Sequence, residues 1–387
     1  MTPAADGAPA KPGREKFESL EMVRALAALS VVFFHTTIIF TGRTGIVPFG
    51  GVFGAGSRGV DLFFVLSGFI IAYIHAGDIG RPGRVGRYFY SRFVRIYPNV
   101  WIVTLLALAV YLIGFGGADK AGKLQPWSVG ASFLLLPQQG DALVNVTWSL
   151  KYEIFFYLLF ALAILRRSVG LWLILLWQAS VLAVYLSGRQ LGWSWISFYL
   201  RPIVLEFGLG LISAWIVINR ARFALLDNRR FVTAMLALGV TVFVAAELVQ
   251  AYVPTALEAV PDFLAFGVSA AFIVVSLAVI DIQRRYRVPR VLVILGGASY
   301  SIYLVHFSTI SLLAAFLTRG NRAPMNDAVF LAVALVGIFF GLLFHQGIDR
   351  PLHRFLRRRD RRPPPPAAVP GEAVPPAIFV TKDAAPI

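Results

Sequence analysis

The sequence predicts an all-α integral membrane protein, about ten transmembrane helices in one bundle with both termini cytoplasmic. Three observations predict it. Of the 387 residues 58% are hydrophobic and only 14% charged, with 32 Phe and 8 Trp, far outside the usage of a water-soluble domain. The apolar residues fall into ten runs near the roughly 20-residue length that crosses a bilayer core. The positive charges collect between alternate runs, as the retention of Lys and Arg in cytoplasmic loops requires.

The runs justify themselves in order. Residues 20–40 are long, follow a polar tail (1–19) and lack an evident small-residue cleavage site, so a retained first helix is expected. Runs 59–74 and 99–114 are separated by five arginines between Arg81 and Arg95, and runs 146–165 and 170–186 by Arg166 and Arg167. Four arginines lie between 198–218 and 231–250, four more between 262–280 and 292–317, and the last run, 327–344, precedes another basic segment. On this alternation 26 of the 36 Lys and Arg lie on one side, 7 on the other and Arg24, Lys151 and Arg201 within spans, so an even number of crossings is expected.

Residues 117–145 form the longest outer loop, and its apolar patch, 127–137, is too brief to span and is expected to be interfacial or re-entrant. The membrane domain is expected over 20–351. Residues 352–387, Arg-rich and then Pro/Ala-rich, cannot bury a core and are expected to form a disordered cytoplasmic tail.

The net charge of +16 does not point to nucleic acid, because the arginines sit in short clusters between apolar runs. Without cysteine there is no thiolate nucleophile or acyl carrier and no Cys-ligated metal; group transfer must run on His, carboxylate or hydroxyl chemistry.

Ionisable side chains in hydrocarbon cost on the order of 2.5–3.5 kcal/mol each on insertion scales and are functional candidates by default. Arg24 and His35 are eleven residues apart, so both project from one face of the first helix, separated by roughly 16 Å. Helical rise puts His35, Glu153, Glu206 and His306, from four different runs, in one layer of the outer half, with Asp61 just above it. This layer is the candidate site; the alternatives are a structural polar network or the proton pathway of a transporter or flippase. No metal is expected, since no HExxH or similar spacing occurs. Arg92 and Arg95, just before Tyr97 and Pro98, share one face of a helical turn, a pair able to grip phosphate, although positive-inside bias accounts for such a pair equally well. The small residues of 59–69 and 296–301 read as close-packing faces.

Five ordered motifs carry a resemblance: Arg24–x10–His35; Gly59-Val60-Asp61-Leu62-Phe63-Phe64-Val65-Leu66-Ser67-Gly68-Phe69; Arg92-Phe93-Val94-Arg95-Ile96-Tyr97-Pro98; Trp148-Ser149-Leu150-Lys151-Tyr152-Glu153-Ile154-Phe155-Phe156-Tyr157; and Ser299-Tyr300-Ser301-Ile302-Tyr303-Leu304-Val305-His306. From about residue 20 to 351 the chain resembles acyltransferase family 3, membrane proteins that O-acylate extracytoplasmic carbohydrates, and within it the exopolysaccharide and O-antigen branch. Glu21 stands where the family usually has Asp, and Met22-Val23-Arg24-Ala25 where it has Gly-Leu-Arg-Gly.

The resemblance implies a multi-pass protein of the bacterial inner (plasma) membrane that uses acyl-coenzyme A, acetyl foremost, as co-substrate, with no permanently bound cofactor. It implies a carbohydrate or lipid-linked glycan as acceptor, polysaccharide-assembly proteins as partners, and no hydrolase-like domain to complete the transfer. Arg24, Arg92 and Arg95 would hold the donor phosphates. His35 would act as general base or acyl acceptor, with Glu153 and His306 as catalytic companions. Asp61, Ser149, Tyr152, Glu206, Ser299 and Tyr303 would support or contact substrate.

Overall fold

Hydrocarbon offers no partner to a free backbone N–H or C=O, so a spanning segment must close its hydrogen bonds within itself. The apolar runs do so as helices. A computed structural model describes residues 17–114, 120–253, 260–283, 286–318 and 326–358, and among these it contains helices and connecting turns without strands. Helix α1 (Glu18–Thr44) is followed by a 3-10 segment (Pro48–Arg58), α2 (Gly59–His75), α3 (Val85–Leu112), α4 (Lys120–Lys123) and α5 (Pro126–Leu134). Then come α6 (Trp148–Leu165), α7 (Arg167–Leu186), α8 (Trp195–Phe198), α9 (Leu205–Ile218) and α10 (Arg229–Tyr252). A π-turn (Phe263–Val268) leads into α11 (Ser269–Ile282), followed by α12 (Arg290–Thr318), α13 (Asp327–Phe344), a second π-turn (His345–Asp349) and α14 (Arg350–Arg358).

Among the described residues nine helical segments are long and apolar enough to cross a membrane, and the sixth of the ten expected spans is a shorter apolar helix, Pro202–Ile218. Its length reflects its place in the bundle. α9 lies directly against α2, where a Cβ on Gly68 would come within 2.4 Å of the Phe207 carbonyl oxygen and one on Gly210 within 2.2 Å of that of Val65. Small residues let two backbones approach in this way. The spans containing α2 and α11 are 61% buried and form the centre, whereas those of α7 and α10 are 22% buried and present Trp172, Leu176 and Leu238 outward as a lipid-facing rim.

Two boundaries differ from expectation, the start of α3 and the start of the tail. α3 begins at Val85, well before the expected run 99–114, so it takes in Arg87, the Arg92 and Arg95 turn, and Pro98. The apolar patch 127–137 holds α5, whose end packs on α3: Trp101 Nε1 donates to the Phe133 carbonyl at 3.0 Å and Tyr97 OH to that of Leu134 at 3.3 Å. Tyr97 precedes the end of α3 by about 23 Å of helical rise, so α5 is re-entrant. Finally, the helix continues through residue 351 into α14, so the expected start of the tail at 352 falls inside a helix. The remainder of the expected tail, 359–387, lies outside the described residues, as do 1–16 of the N-terminal tail.

Candidate active site

α1 and α12 touch along much of their length because Gly296 offers no side chain at the crossing; a Cβ there would lie 2.0 Å from the Glu21 carbonyl oxygen. This contact brings two histidines from opposite ends of the chain together. His306 Nε2 lies 3.1 Å from His35 Nδ1, with ring centroids 5.0 Å apart. Their protonation pattern follows from what surrounds them. His306 Nδ1 faces the carbonyl oxygens of Tyr303 at 2.7 Å and Ile302 at 3.1 Å, and a carbonyl only accepts, so this nitrogen carries hydrogen. His35 Nδ1 lies 3.0 Å from the Val31 carbonyl and must donate for the same reason. The His35 Nδ1–H is therefore shared between Val31 and His306 Nε2. One lone pair of the pair is left unengaged, that on His35 Nε2. His306 is fully buried and His35 half-buried, so the free nitrogen belongs to the more accessible ring.

A cavity of about 80 Å³ has Arg24, Ser67, Arg95, Ser149, Glu153 and Ser299 among its lining, and neither histidine. Tyr303 joins the two places: it lines the cavity, and its carbonyl accepts the His306 hydrogen. Its hydroxyl meets Ser149 Oγ at 2.8 Å and donates to the Val146 carbonyl at 3.0 Å. Glu153 accepts a hydrogen bond from Ser67 Oγ at 3.1 Å and another from the Tyr157 hydroxyl. Neither histidine is among its hydrogen-bond partners in the described residues. The imidazole of His35 meets that of His306.

The arginines divide. Arg24 Nη1 reaches both carboxylate oxygens of Glu21 at 3.1 Å, so its charge is largely answered within α1. Arg95 faces the cavity near Glu153, Glu21 and Tyr300 but hydrogen-bonds no other group among the described residues. Arg92 turns away from the cavity, with its guanidinium 5.7 Å from the centroid of the Tyr157 ring and Nε on Ser91 Oγ at 3.3 Å. Ser299 Oγ is buried at the cavity wall without a hydrogen-bond partner. A buried hydroxyl left unpaired costs about 1–3 kcal/mol, which a ligand with a polar atom at this point would recover.

Two expected members stand elsewhere. Glu206 does not join the histidines; its carboxyl is buried near that of Asp61, with neither of its oxygens hydrogen-bonded among the described residues. Arg58 closes this second cluster, 2.9 Å from Asp262 and 3.7 Å from Asp61, with Nε on Gln250 at 2.7 Å. Helical rise gave Glu206 the right depth, but depth does not fix direction around the helix axis, and α9 turns this residue toward α2. Tyr152 is buried with its ring 4.4 Å from that of Phe198, outside the cavity lining.

Sequence reasoning did not single out Ser67 or Tyr157 as site residues, although both lie within the motifs. It also passed over Asp349, which accepts from Asn99 Nδ2 at 2.7 Å and Ser301 Oγ at 2.9 Å and pairs with His345 Nδ1 at 2.7 Å. The available signal was a lone acid in an otherwise basic segment.

The acyltransferase-domain family model matches residues 17–345. The exopolysaccharide production protein ExoZ of Rhizobium meliloti (strain 1021) is 29% identical over 322 residues, 80% of this chain and 93% of its own. The acyltransferase MdmB of Streptomyces mycarofaciens is 29% identical over 340 residues, 79% of this chain and 82% of its own. Protein 2 in the picA locus of Rhizobium radiobacter is 33% identical over 101 residues, 26% of this chain and 47% of its own. No solved structure matches. Family membership decides between a transferase and the transporter or flippase considered from sequence: the chain belongs to acyltransferase family 3 and is an integral membrane O-acyltransferase.

Proposed function

We propose that the protein works in the inner membrane of a bacterium and moves an acyl group, acetyl in this reading, from acyl-coenzyme A to a hydroxyl of a carbohydrate or lipid-linked glycan. The observation that carries the reading is the single unengaged imidazole nitrogen, His35 Nε2, joined through His306 and Tyr303 to a cavity that holds the unpaired Arg95. A relative named for exopolysaccharide production supports a carbohydrate acceptor. The cavity volume, about 80 Å³, supports a short acyl chain. Arg95, with Arg24 and Arg92 nearby, would meet donor phosphates by charge-assisted hydrogen bonds.

In this reading the acceptor oxygen attacks the thioester carbonyl carbon while its proton passes to His35 Nε2. The C–S bond then breaks, and the leaving thiolate takes the proton back, so the imidazole ends neutral. His35 Nδ1–H remains bonded to Val31 and His306 throughout, and His306 Nε2 stabilises the positive charge as it develops. General-base help of this kind is typically worth about 10²–10⁴ in rate. The test is the O-acetyl content of surface polysaccharide, by NMR, in a deletion strain carrying wild type or His35→Ala at equal membrane abundance. Acetyl signal restored by wild type alone is expected; equal restoration by the variant would exclude His35 as the base.

A further inference from the structure

Arg350, His353, Arg354 and Arg357 line a second concavity, about 230 Å³, on α14. Their spacing is i, i+3, i+4, i+7, which places all four on one stripe of the helix. Like charges stacked in this way repel and destabilise a helix, and Asp349, the acid 3.8 Å from His353 among the described residues, is already engaged by Asn99, Ser301 and His345. Among the described residues the stripe is thus a shallow surface rich in basic side chains, with Arg350 and Arg354 exposed.

Its position ties it to the cavity. α14 rests on α3, where the Tyr90 hydroxyl donates to the Leu356 carbonyl at 2.8 Å, and α3 also carries Arg95, close enough to act on the charge of His353. Asp349 holds Ser301, whose neighbours Ser299 and Tyr300 line the cavity. The stripe and the cavity therefore share α3 and α12 as neighbours.

We propose that this stripe binds phosphate groups of the nucleotide portion of the acyl donor, a subsite that rests on the acyl-coenzyme A reading above. That portion carries roughly four negative charges, two on the diphosphate and nearly two on the 3′-phosphate. Arg24 is answered by Glu21 and Arg92 lies over Tyr157, so the cavity supplies Arg95 and little else. The α14 stripe supplies the missing cations. A lipid headgroup has the same phosphate chemistry, but exposed Phe355 lies about 150° around the helix from the centre of the stripe. With Phe355 in the apolar interface, the arginines face away from lipid.

The test measures binding of coenzyme A, 3′-dephospho-coenzyme A and adenosine 3′,5′-bisphosphate to the purified full-length protein and to an Arg350→Gln/Arg354→Gln variant with an unchanged thermal midpoint. Wild type is expected to prefer coenzyme A over its dephospho form. The variant should lose about tenfold or more in affinity for adenosine 3′,5′-bisphosphate together with that preference, and Arg350→Lys/Arg354→Lys should recover most of both. Wild-type affinity for coenzyme A with no change in the variant would overturn the subsite and leave the donor reading intact. Nucleotide affinity unchanged while binding to phosphatidylglycerol vesicles falls would assign the stripe to lipid instead. A wild type that binds no coenzyme A would overturn both readings.

Discussion

Two imidazoles in contact do unequal jobs. Because both His306 Nδ1 and His35 Nδ1 face carbonyls, the hydrogen positions follow from the surroundings, and His306 acts on chemistry only through His35. In the proposed mechanism His306 is a positioning residue. Replacing it with Ala removes one acceptor from the His35 Nδ1–H and is expected to lower kcat by about 10–100-fold, less than loss of His35, with KM for the donor unchanged. His306→Gln, whose amide oxygen can accept the same hydrogen, should recover part of the rate, and an equal loss in both variants would argue for a packing role. The resemblance implied a general base or acyl acceptor at His35, and that this residue is a site candidate was legible from its spacing to Arg24 and its depth. Which residue orients it was not, because depth along an axis says nothing about which neighbouring helix a side chain faces. Glu153 has the right depth, yet its carboxylate is taken by Ser67 and Tyr157.

At the scale of elements, the site depends on how closely α1 and α12 approach. Gly296 and Gly297 are neighbours in one small-residue stretch and look alike in sequence, but their surroundings differ completely. A Cβ on Gly296 would meet the Glu21 carbonyl oxygen at 2.0 Å, whereas one on Gly297 would find nothing within 4 Å. Gly296→Leu is therefore expected to separate the helices, move His306 away from His35 and abolish activity with a lowered thermal midpoint. Gly297→Ala should be neutral or stabilise by up to about 1 kcal/mol through helix propensity. Thermal unfolding in detergent and acyl transfer in membranes check both; a tolerated Gly296→Leu would mean that the helices are not in contact there. The re-entrant α5 makes the same point. Its length excluded a span in advance, while its hydrogen bonds to α3 decided between the membrane surface and its interior.

For the whole molecule, charge asymmetry predicts both termini on one side, and nine long segments with the shorter helix Pro202–Ile218 provide the even number of crossings that this needs. The absence of cysteine allows a direct check, since each introduced thiol is the only one in the protein. In intact cells an impermeant thiol reagent should label Gln190→Cys, which is exposed beyond α7, and should reach Arg222→Cys, exposed before α10, only after the membrane is opened. Labelling of both from outside would break the alternation and with it the assignment of Arg95 to the donor side.

Length, apolar content and charge placement by themselves determined the class of the molecule, the approximate position of its helices and the residue types on which transfer must run. Bilayer thickness and the cost of charge in hydrocarbon are properties of the solvent, and one chain read in isolation already reports them. Which polar groups meet was decided only by the tertiary structure. His35 and His306 are 271 positions apart, and their contact depends on a backbone approach that one glycine permits and its neighbour does not need. Glu206 shares their depth but faces Asp61, because helix packing sets rotation about each axis and hydropathy leaves that angle free.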